Sequence, residues 1–452
     1  MAPTSLYKLR PLAAAIGLLL AFPSQAVPVN WAGTTGFWDV SGNWNPGLPT
    51  AIDDVTINVP DVQTVTVSSG NNTVNSIAVT GDATLALTGG TLSINGSSNL
   101  TNFTQSGGTL SGTGTVNISG PANWTGGTMD GSGNTIANAG LIISGGENHF
   151  LTGGRTLESN GTAIWSNALA YHYNNNGYYY TTQGPIYAGG GAAITNNGTW
   201  LDQNSLDNQI INNGGFQSNF NNNGVYTKSG NSTTSIGIGF NNASTGVVNV
   251  DAGNLMLTSS FTNQGAITVA SGATVDVQNA TFINQGALQG NGTYHTLNAT
   301  TALVNSGTLA PGVGNIGALT ISGDYTQTTT GIFDIQLASL TSYDKLTVLG
   351  DMNLSGTLRI HDFGGYNPNL GNTFTIATFD DGVADISDLT GIFSNIVWSG
   401  FNPGVSFTAS YFNHSIVLNA TTAPVPVPAA AWLFGTGLLG LFGSKRRKRV
   451  NS

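Results

Sequence analysis

The sequence lacks cysteine and has few charged residues. The absence of cysteine from all 452 residues excludes both a disulfide framework and a thiolate metal site. Charged residues make up 7% of the chain, against ~25% in ordinary globular domains. Between residues 27 and 424 the only cations are Arg155, Lys228, Lys345 and Arg359. This acidic region has no basic surface of the kind that binds nucleic acid, so no nucleic-acid partner is predicted.

Glycine and short alternating runs of apolar residues take the place of charge. Gly accounts for 63 residues, and segments 55–59, 64–67 and 84–87 alternate apolar and polar side chains. Such alternation sends one face of a strand inward. The Gly and Asn between the runs tolerate the positive φ of turns. Because no amphipathic helix pattern occurs between the two ends of the chain, the fold class is predicted to be all-β.

Internal repeats indicate which all-β fold forms. Phe261, Phe282 and Leu303 open three similar five-residue segments that are 21 positions apart, each with Asn third and Gly fifth. A Gly-Gly-Thr triplet recurs near residues 89–128 at spacings of 18 and 19. Repeats of this length with strands in each unit indicate a solenoid. The sequence therefore predicts a right-handed parallel β-helix over residues 61–358, with rungs of about 18–21 residues.

Both ends of the repeat region resemble bacterial autotransporter-type β-helix proteins. Residues 27–60 resemble their opening segment and are predicted to cap the first rung, covering an edge that otherwise invites pairing. This cap contains three tryptophans, namely Trp31, Trp38 and Trp44. Residues 307–327 resemble the segment that ends the repeats of a passenger domain. Residues 359–420 are predicted to form a β-rich C-terminal cap.

The first 26 residues have the pattern of a secretory signal peptide. Lys8 and Arg10 form a basic region, an apolar run follows over residues 12–22, and small residues precede the predicted cleavage site after Ala26. An uncleaved membrane anchor is the alternative. Either reading predicts an exported protein.

The last residues combine a Pro-rich motif, an apolar run and a basic cluster. The linker 421–428 ends in the motif Val425, Pro426, Val427 and Pro428. Residues 429–443 are uncharged and, together with the motif, approach the ~20 residues that cross a bilayer. The tail 444–452 then contains Lys445, Arg446, Arg447, Lys448 and Arg449. A transmembrane helix with a cytoplasmic basic tail is predicted, and a buried core helix is the alternative.

This C-terminal arrangement resembles the PEP-CTERM sorting signal of Gram-negative bacteria, with Val427 at the position of the family's Glu. The resemblance implies an exosortase-like processing enzyme as a partner. It also implies an inner-membrane-anchored precursor that ends at the cell surface or outside the cell. Because Val427 replaces that Glu, the resemblance specifies neither which enzyme recognises the motif nor whether the tail is cleaved.

A tyrosine-rich segment interrupts the repeats. Within ten residues it contains Tyr171, Tyr173, Tyr178, Tyr179 and Tyr180, interleaved with Asn. Exposed tyrosine rings beside amides suit contacts with sugars. The alternative is a loop whose rings fold back onto the solenoid.

The acidic residues and histidines form no recognised motif. Asp202 and Asp207 lie close together in the sequence, but isolated carboxylates at turns are more often capping residues than catalysts. The run 380–388 offers oxygen ligands without the spacing of a calcium loop, which favours a solvated acidic loop. The five histidines show no metal-ligand spacing; they are His149, His172, His295, His361 and His414. No catalytic, cofactor-binding or metal-ligating residue is assigned, and no enzyme is predicted.

The sequence thus predicts an exported bacterial β-solenoid with a structural or adhesive role in a surface layer or exopolysaccharide matrix. Exopolysaccharide or cell-surface glycans are the predicted partners, together with the membrane through the C-terminal helix. A polysaccharide-binding or polysaccharide-degrading β-helix is the alternative function. A membrane-anchored spacer without a specific ligand is a third hypothesis.

Overall fold

The computed structural model describes residues 28–59, 61–173, 179–296, 302–380, 382 and 388–422. The predicted signal peptide with Ala26, the motif 425–428, the predicted transmembrane helix 429–443, the basic tail and Tyr178 lie outside these residues. Within them, the chain forms 51 strands and one short 3-10 helix, Ser41–Asn43. None of the described residues belongs to a helix that is long and apolar enough to cross a membrane.

The described chain is a parallel β-solenoid of about 14 turns, which confirms the predicted β-helix repeats. Each regular turn contributes one strand to each of three long sheets, and segments at the two ends add further strands. The sheets are called A, B and C in the order in which the chain enters them. Sheet A contains 17 strands: β1 (Pro28–Trp31), β3 (Trp44–Asn45), β4 (Asp54–Val59), β7 (Ser76–Gly81), β10 (Ser98–Leu100), β13 (Thr115–Ile118), β16 (Asn134–Ala137), β19 (Thr156–Ser159), β24 (Ala193–Asn196), β27 (Asn219–Asn222), β30 (Gly239–Asn242), β33 (Phe261–Asn263), β36 (Phe282–Asn284), β39 (Leu303–Asn305), β42 (Tyr325–Gln327), β45 (Met352–Leu354) and β48 (Leu389–Gly391).

Sheets B and C have 16 strands each. Sheet B contains β2 (Gly36–Phe37), β5 (Thr64–Val67), β8 (Thr84–Leu87), β11 (Asn102–Gln105), β14 (Pro121–Trp124), β17 (Gly140–Ile143), β20 (Thr162–Trp165), β25 (Thr199–Asp202), β28 (Val225–Lys228), β31 (Val247–Val250), β34 (Ala266–Val269), β37 (Ala287–Gly290), β40 (Thr308–Pro311), β43 (Ile332–Leu337), β46 (Thr357–Asp362) and β49 (Asn395–Ser399).

Sheet C contains β6 (Asn71–Val74), β9 (Thr91–Ile94), β12 (Thr109–Ser111), β15 (Gly127–Met129), β18 (His149–Leu151), β23 (Ile186–Ala188), β26 (Asn208–Asn212), β29 (Thr233–Ile236), β32 (Asn254–Leu257), β35 (Thr274–Val277), β38 (Thr293–His295), β41 (Ala318–Ser322), β44 (Lys345–Val348), β47 (Thr373–Phe379), β50 (Val405–Phe412) and β51 (Ser415–Thr422). A separate antiparallel hairpin consists of β21 (Ala170–Tyr173) and β22 (Tyr179–Thr182).

The sequence repeat coincides with the strand register. Phe261 pairs with Phe282, which lies 21 positions later, and Thr115 pairs with Asn134 after 19 positions. The register is much longer where the chain makes an insertion. Leu157 pairs with Ile194 after 37 positions, because the β21–β22 hairpin lies between them. The predicted rung length therefore describes the regular turns but not the interrupted ones.

The interior of sheet A is a column of stacked polar and aromatic side chains. Six asparagines, each the last residue of its strand, are joined in a ladder by side-chain hydrogen bonds of 2.7–2.8 Å: Asn196, Asn222, Asn242, Asn263, Asn284 and Asn305. Beside this ladder, the rings of Phe261 and Phe282 pack in a tilted arrangement with centroids 5.3 Å apart. Identical residues recur at equivalent positions because they meet the same neighbours in each turn.

A buried tryptophan cluster begins the solenoid. The indole N–H of Trp44 donates to the backbone oxygen of Trp38 at 2.7 Å. The Trp44 ring also packs edge-on against both Trp31 and Trp38, with centroids 4.8 and 4.6 Å away. β1 pairs parallel with β4 and antiparallel with β3, so the first edge of sheet A is covered.

The parallel turns pass through residue 359, where the sequence predicted the C-terminal cap to begin. β46 pairs parallel with both β43 and β49. The antiparallel part is limited to β50 and β51, which pair with each other and add to β47 at the end of sheet C.

Candidate functional site

A cleft of about 530 Å³ opens on the outer face of sheet C. It extends along several turns, from the loop before β18 to β32, and lies next to the point where the β21–β22 hairpin rejoins the solenoid. Ten residues line it: Asn148, Gln183, Pro185, Tyr187, Asp207, Asn208, Gln209, Thr233, Ser235 and Met256.

Strand alternation places Tyr187, Gln209 and Ser235 outward. Ile186, Ile210 and Ile236 are fully buried at the inward positions of β23, β26 and β29. Their sequence neighbours therefore face the outside of the sheet. Gln209 pairs in register with Ser235, so the two polar side chains form a row across the floor of the cleft.

An aromatic pair flanks this polar row. Tyr187 pairs in register with Phe150, and the two rings stack with centroids 5.0 Å apart and an interplanar angle of 19°. Both residues are partly exposed on the outer face of sheet C. A stacked aromatic pair is a broad, rigid apolar surface, while the Tyr187 hydroxyl adds a polar edge.

The tyrosine-rich segment forms the hairpin beside the cleft. Tyr171 pairs with Thr181 and is 73% exposed. Tyr173 pairs with Tyr179, and Tyr180 pairs with His172, so the structure gives their backbone register. The chain leaves the hairpin through Gln183 and Pro185, which line the cleft. Tyr171 therefore does not fold back onto the solenoid, and the hairpin and cleft share one region of the surface.

A buried polar network lies behind the cleft. Asn208, which lines the cleft, donates from its side chain to Asn204 Oδ1 at 2.9 Å. Asn204 in turn donates to Asp202 Oδ1 at 2.7 Å, and the Tyr226 hydroxyl donates to Asp202 Oδ2 at 2.9 Å. Burial, followed by the charge of Asp202, raises the pKa of Tyr226 well above its ordinary value, so this hydroxyl remains a donor. The network fixes the orientation of the Asn208 amide.

The network also contains a buried lysine. Lys228 pairs in register with Asp202 and points into the solenoid, where its Nζ donates to the Gly230 oxygen at 2.9 Å. Burial lowers the pKa of Lys228, and the charges of Asp202 and Asp207 oppose that shift. This cation is enclosed in the interior and does not line the cleft.

Asp202 and Asp207 lie close together in the sequence but have different roles. Asp202 is fully buried, whereas Asp207 lines the cleft and accepts a 2.7 Å hydrogen bond from the Thr233 N–H. Glycoside hydrolases require two carboxyl groups that flank the bond to be cleaved. Among the residues that line this cleft, only Asp207 is a carboxylate. The arrangement therefore suits binding better than hydrolysis.

The chemistry of the lining suits a neutral, polyhydroxylated ligand. Amides, hydroxyls and an aromatic face offer such a ligand donors, acceptors and an apolar surface. The lining is more polar than the mainly apolar lining of a usual small-molecule site. The ten lining residues include no cation to attract a phosphate or a carboxylate. The carboxylate of Asp207 disfavours acidic ligands further.

The histidines lie beside partners that the sequence did not reveal. His149 is buried in the core with Nε2 3.1 Å from the Trp124 oxygen. Three others lie within 3.1 Å of a carboxylate from a different turn of the chain, as the pairs His295–Asp276, His361–Asp334 and His414–Asp388. The His295–Asp276 and His361–Asp334 pairs join successive turns, at sequence separations of 19 and 27 positions, whereas the His414–Asp388 pair depends on the β50–β51 hairpin. Knowledge of the register would have been needed to find them.

The sequence interpretation also missed the Phe150–Tyr187 pair and the Gln209–Ser235 row. The hairpin insertion separates Phe150 from Tyr187 by much more than one regular turn, which hides their relationship. No protein-family model and no curated protein matches the chain. Its function is therefore argued from the fold and the cleft.

Proposed function

We propose that this protein is an exported bacterial β-solenoid that binds neutral polysaccharide in the sheet C cleft, in a structural or adhesive role within a surface layer or exopolysaccharide matrix. The observation that carries the proposal is the cleft itself. The stacked Phe150–Tyr187 pair, the polar row of Gln209 and Ser235, and the adjoining tyrosine hairpin lie together on one surface.

Location and processing are proposed from the two ends of the sequence. A signal peptide cleaved after Ala26 would export the chain. The apolar run 429–443 would hold the precursor in the inner membrane, and an exosortase-like enzyme would process the motif at residues 425–428. We also propose that the solenoid is right-handed, as the repeats predict.

Glycan binding is tested with the mature protein and soluble polysaccharides. Isothermal titration against a neutral glucan, a galactomannan and the acidic polygalacturonate compares the wild type with Tyr187→Ala. We expect a neutral polymer to bind, and the variant to lose about tenfold in affinity because a stacking face is removed. Phe216→Ala is the matched control, since Phe216 is 84% exposed and does not line the cleft.

Two results would contradict the binding proposal. The first is no binding of any neutral polymer by the wild type, which would leave a purely structural solenoid. The second is equal affinity of the wild type and Tyr187→Ala. Release of reducing ends that stops in Asp207→Asn would instead favour the degrading enzyme.

Sorting is tested by intact mass and cell fractionation in the native host, beside a strain that lacks the exosortase. We expect residues beyond about 425 to be absent only when the enzyme is present. A full-length chain held in the inner membrane of both strains would reject the sorting proposal and indicate a membrane-anchored solenoid.

A further inference from the structure

Three metal-ligating side chains meet at the C-terminal end of the solenoid, far along the chain from the cleft. Asp380 follows β47, Asp388 precedes β48, and His414 lies in the turn between β50 and β51. One ligand atom from each lies within 4.8 Å of the other two. The site therefore joins the last turns of the solenoid to the antiparallel cap.

The carboxylate of Asp388 is incompletely compensated. The residue is 1% exposed, and its Oδ2 lies 3.0 Å from His414 Nδ1. Its other oxygen, Oδ1, is buried and accepts no hydrogen bond from the part of the chain that the structure describes. Burying a carboxylate oxygen without a partner is costly, because the oxygen loses its hydration and gains nothing in exchange. A bound cation would supply the missing interaction.

The backbone around these residues is well fixed. The Met352 N–H donates to the backbone carbonyl oxygen of Asp388 at 2.7 Å, and the Phe379 N–H donates to the backbone carbonyl oxygen of His414 at 3.2 Å. Two of the three ligands are therefore anchored to neighbouring strands. Asp380 is exposed, and among the described residues the Gly382 N–H is the donor to its Oδ1, at 2.8 Å. Its Oδ2 is therefore available to a metal.

We propose that Asp380, Asp388 and His414 bind a divalent transition-metal ion of the zinc class. Imidazole and carboxylate are both zinc ligands, and three protein ligands leave a further position for water. Ligand atoms around one tetrahedral zinc lie about 3.4 Å apart, so the exposed Asp380 side chain moves toward the ion when it binds. Calcium prefers six or more oxygens, and the imidazole is unsuited to it.

A second histidine–carboxylate pair shows what such a pair looks like when it is complete. His295 Nδ1 lies 2.9 Å from Asp276 Oδ1, a distance close to that of the proposed site. The other oxygen of Asp276 accepts a 2.8 Å hydrogen bond from Gln278, so both oxygens are satisfied. Among the described residues, no third side chain that could bind a metal lies beside this pair. It is the natural control.

The test is zinc binding by the mature protein, prepared without a histidine tag and stripped with chelator. Equilibrium dialysis followed by elemental analysis measures the stoichiometry, and thermal melts with and without zinc give a second readout. We expect one zinc per chain and a higher melting temperature, reversed by chelator, since a ligand that binds the native state stabilises it.

His414→Gln and Asp388→Asn should lower zinc affinity by more than the about 10–100-fold that loss of an outer-shell partner costs. Both should also abolish the zinc-dependent rise in melting temperature. His295→Gln should behave like the wild type. Circular dichroism of each variant without zinc shows whether it is folded, and the exposed His414 makes its variant the safer of the two.

Three outcomes would overturn the proposal. They are the absence of bound zinc in the wild type, equal zinc binding by His414→Gln, and stabilisation by calcium but not by zinc. Glycan binding in the cleft is independent of this site, so a failure here leaves the proposed function untouched.

Discussion

The side-chain amide of Asn263 donates a 2.8 Å hydrogen bond to Oδ1 of Asn284, its counterpart one turn further along the solenoid. The same amide group also donates to the backbone oxygens of Gly265 and Ala287. In turn, Asn263 Oδ1 accepts from Asn242 at 2.7 Å. One buried residue therefore satisfies polar groups in three successive turns.

Asn263→Ala should destabilise the protein by about 1–3 kcal/mol, because the buried Asn284 Oδ1 loses its donor. The Asn242 amide also loses its 2.7 Å hydrogen bond and keeps the longer ones to the Gly246 and Ala266 oxygens. Chemical denaturation followed by circular dichroism measures the change. Asn241→Ala is the control, since the Asn241–Asn221 hydrogen bond is exposed, and a change within about 0.5 kcal/mol is expected. Equal losses of stability in the two variants would show that the buried ladder contributes no more to stability than the exposed Asn241–Asn221 hydrogen bond.

Gly286 tests the close approach of neighbouring turns. A Cβ at this position would lie 1.9 Å from the carbonyl oxygen of Gly265, on the preceding turn. Gly286→Ala should therefore cost about 1–3 kcal/mol or more, since two turns must move apart. Gly42→Ala is the matched control because a Cβ there meets nothing within 4 Å. Thermal melts of the two variants measure the difference, and similar melting temperatures would contradict the argument.

The regular turns could be predicted from the sequence because their chemistry is local and repeated. A large apolar residue, an Asn and a Gly fill the same three positions of each 21-residue unit in successive turns, as Phe282, Asn284 and Gly286 show. Alternation then identifies the buried face of each strand. These signals need only the spacing along the chain, so the parallel β-helix could be predicted without a relative.

The two sites could not be predicted in the same way. The register of Phe150 and Tyr187 depends on an insertion whose length has no repeat to reveal it. His414 and Asp388 meet because the β50–β51 hairpin turns back onto β47, a contact that no spacing rule specifies. Residues 359–420, predicted as a β-rich C-terminal cap, contain the last parallel turns, with longer connections, followed by the antiparallel β50 and β51.

His149 should make stability depend on pH. Burial lowers the pKa of His149 to about 4, below the ~6.5 of an unfolded histidine. The native state therefore binds fewer protons than the unfolded state within this range, and stability is lost as pH falls from about 6.5 to 4. The loss is up to about 3 kcal/mol.

His149→Gln removes this titration, and urea denaturation at several pH values measures the slope. Between pH 6.5 and 4 the variant should lose less stability than the wild type. His361→Gln is the control, because the His361 side chain lies at the surface. Identical slopes in the wild type and His149→Gln would contradict the prediction.

Asp344 should produce the opposite slope over an overlapping range. Its carboxylate accepts hydrogen bonds from the Gly317 and Gln336 N–H groups at 2.7 and 2.8 Å. Burial nevertheless outweighs these bonds and raises the pKa of Asp344 to about 7. Because the native state then binds more protons than the unfolded state, stability is highest at low pH and falls as pH rises from about 4 to about 7.

Asp344→Asn separates the two effects. The amide loses one of the two backbone hydrogen bonds, so the variant is less stable overall, and the readout is the slope with pH. In the wild type, protonation of Asp344 stabilises the native state as pH falls and so compensates for the stability that is lost through His149. Without Asp344, stability should fall more steeply from pH 6.5 to 4 than in the wild type. Above pH 6.5, the wild-type decline should disappear. Asp251→Asn, at an exposed position, should keep the wild-type profile. An unchanged slope in Asp344→Asn would mean that this carboxylate does not set the pH dependence.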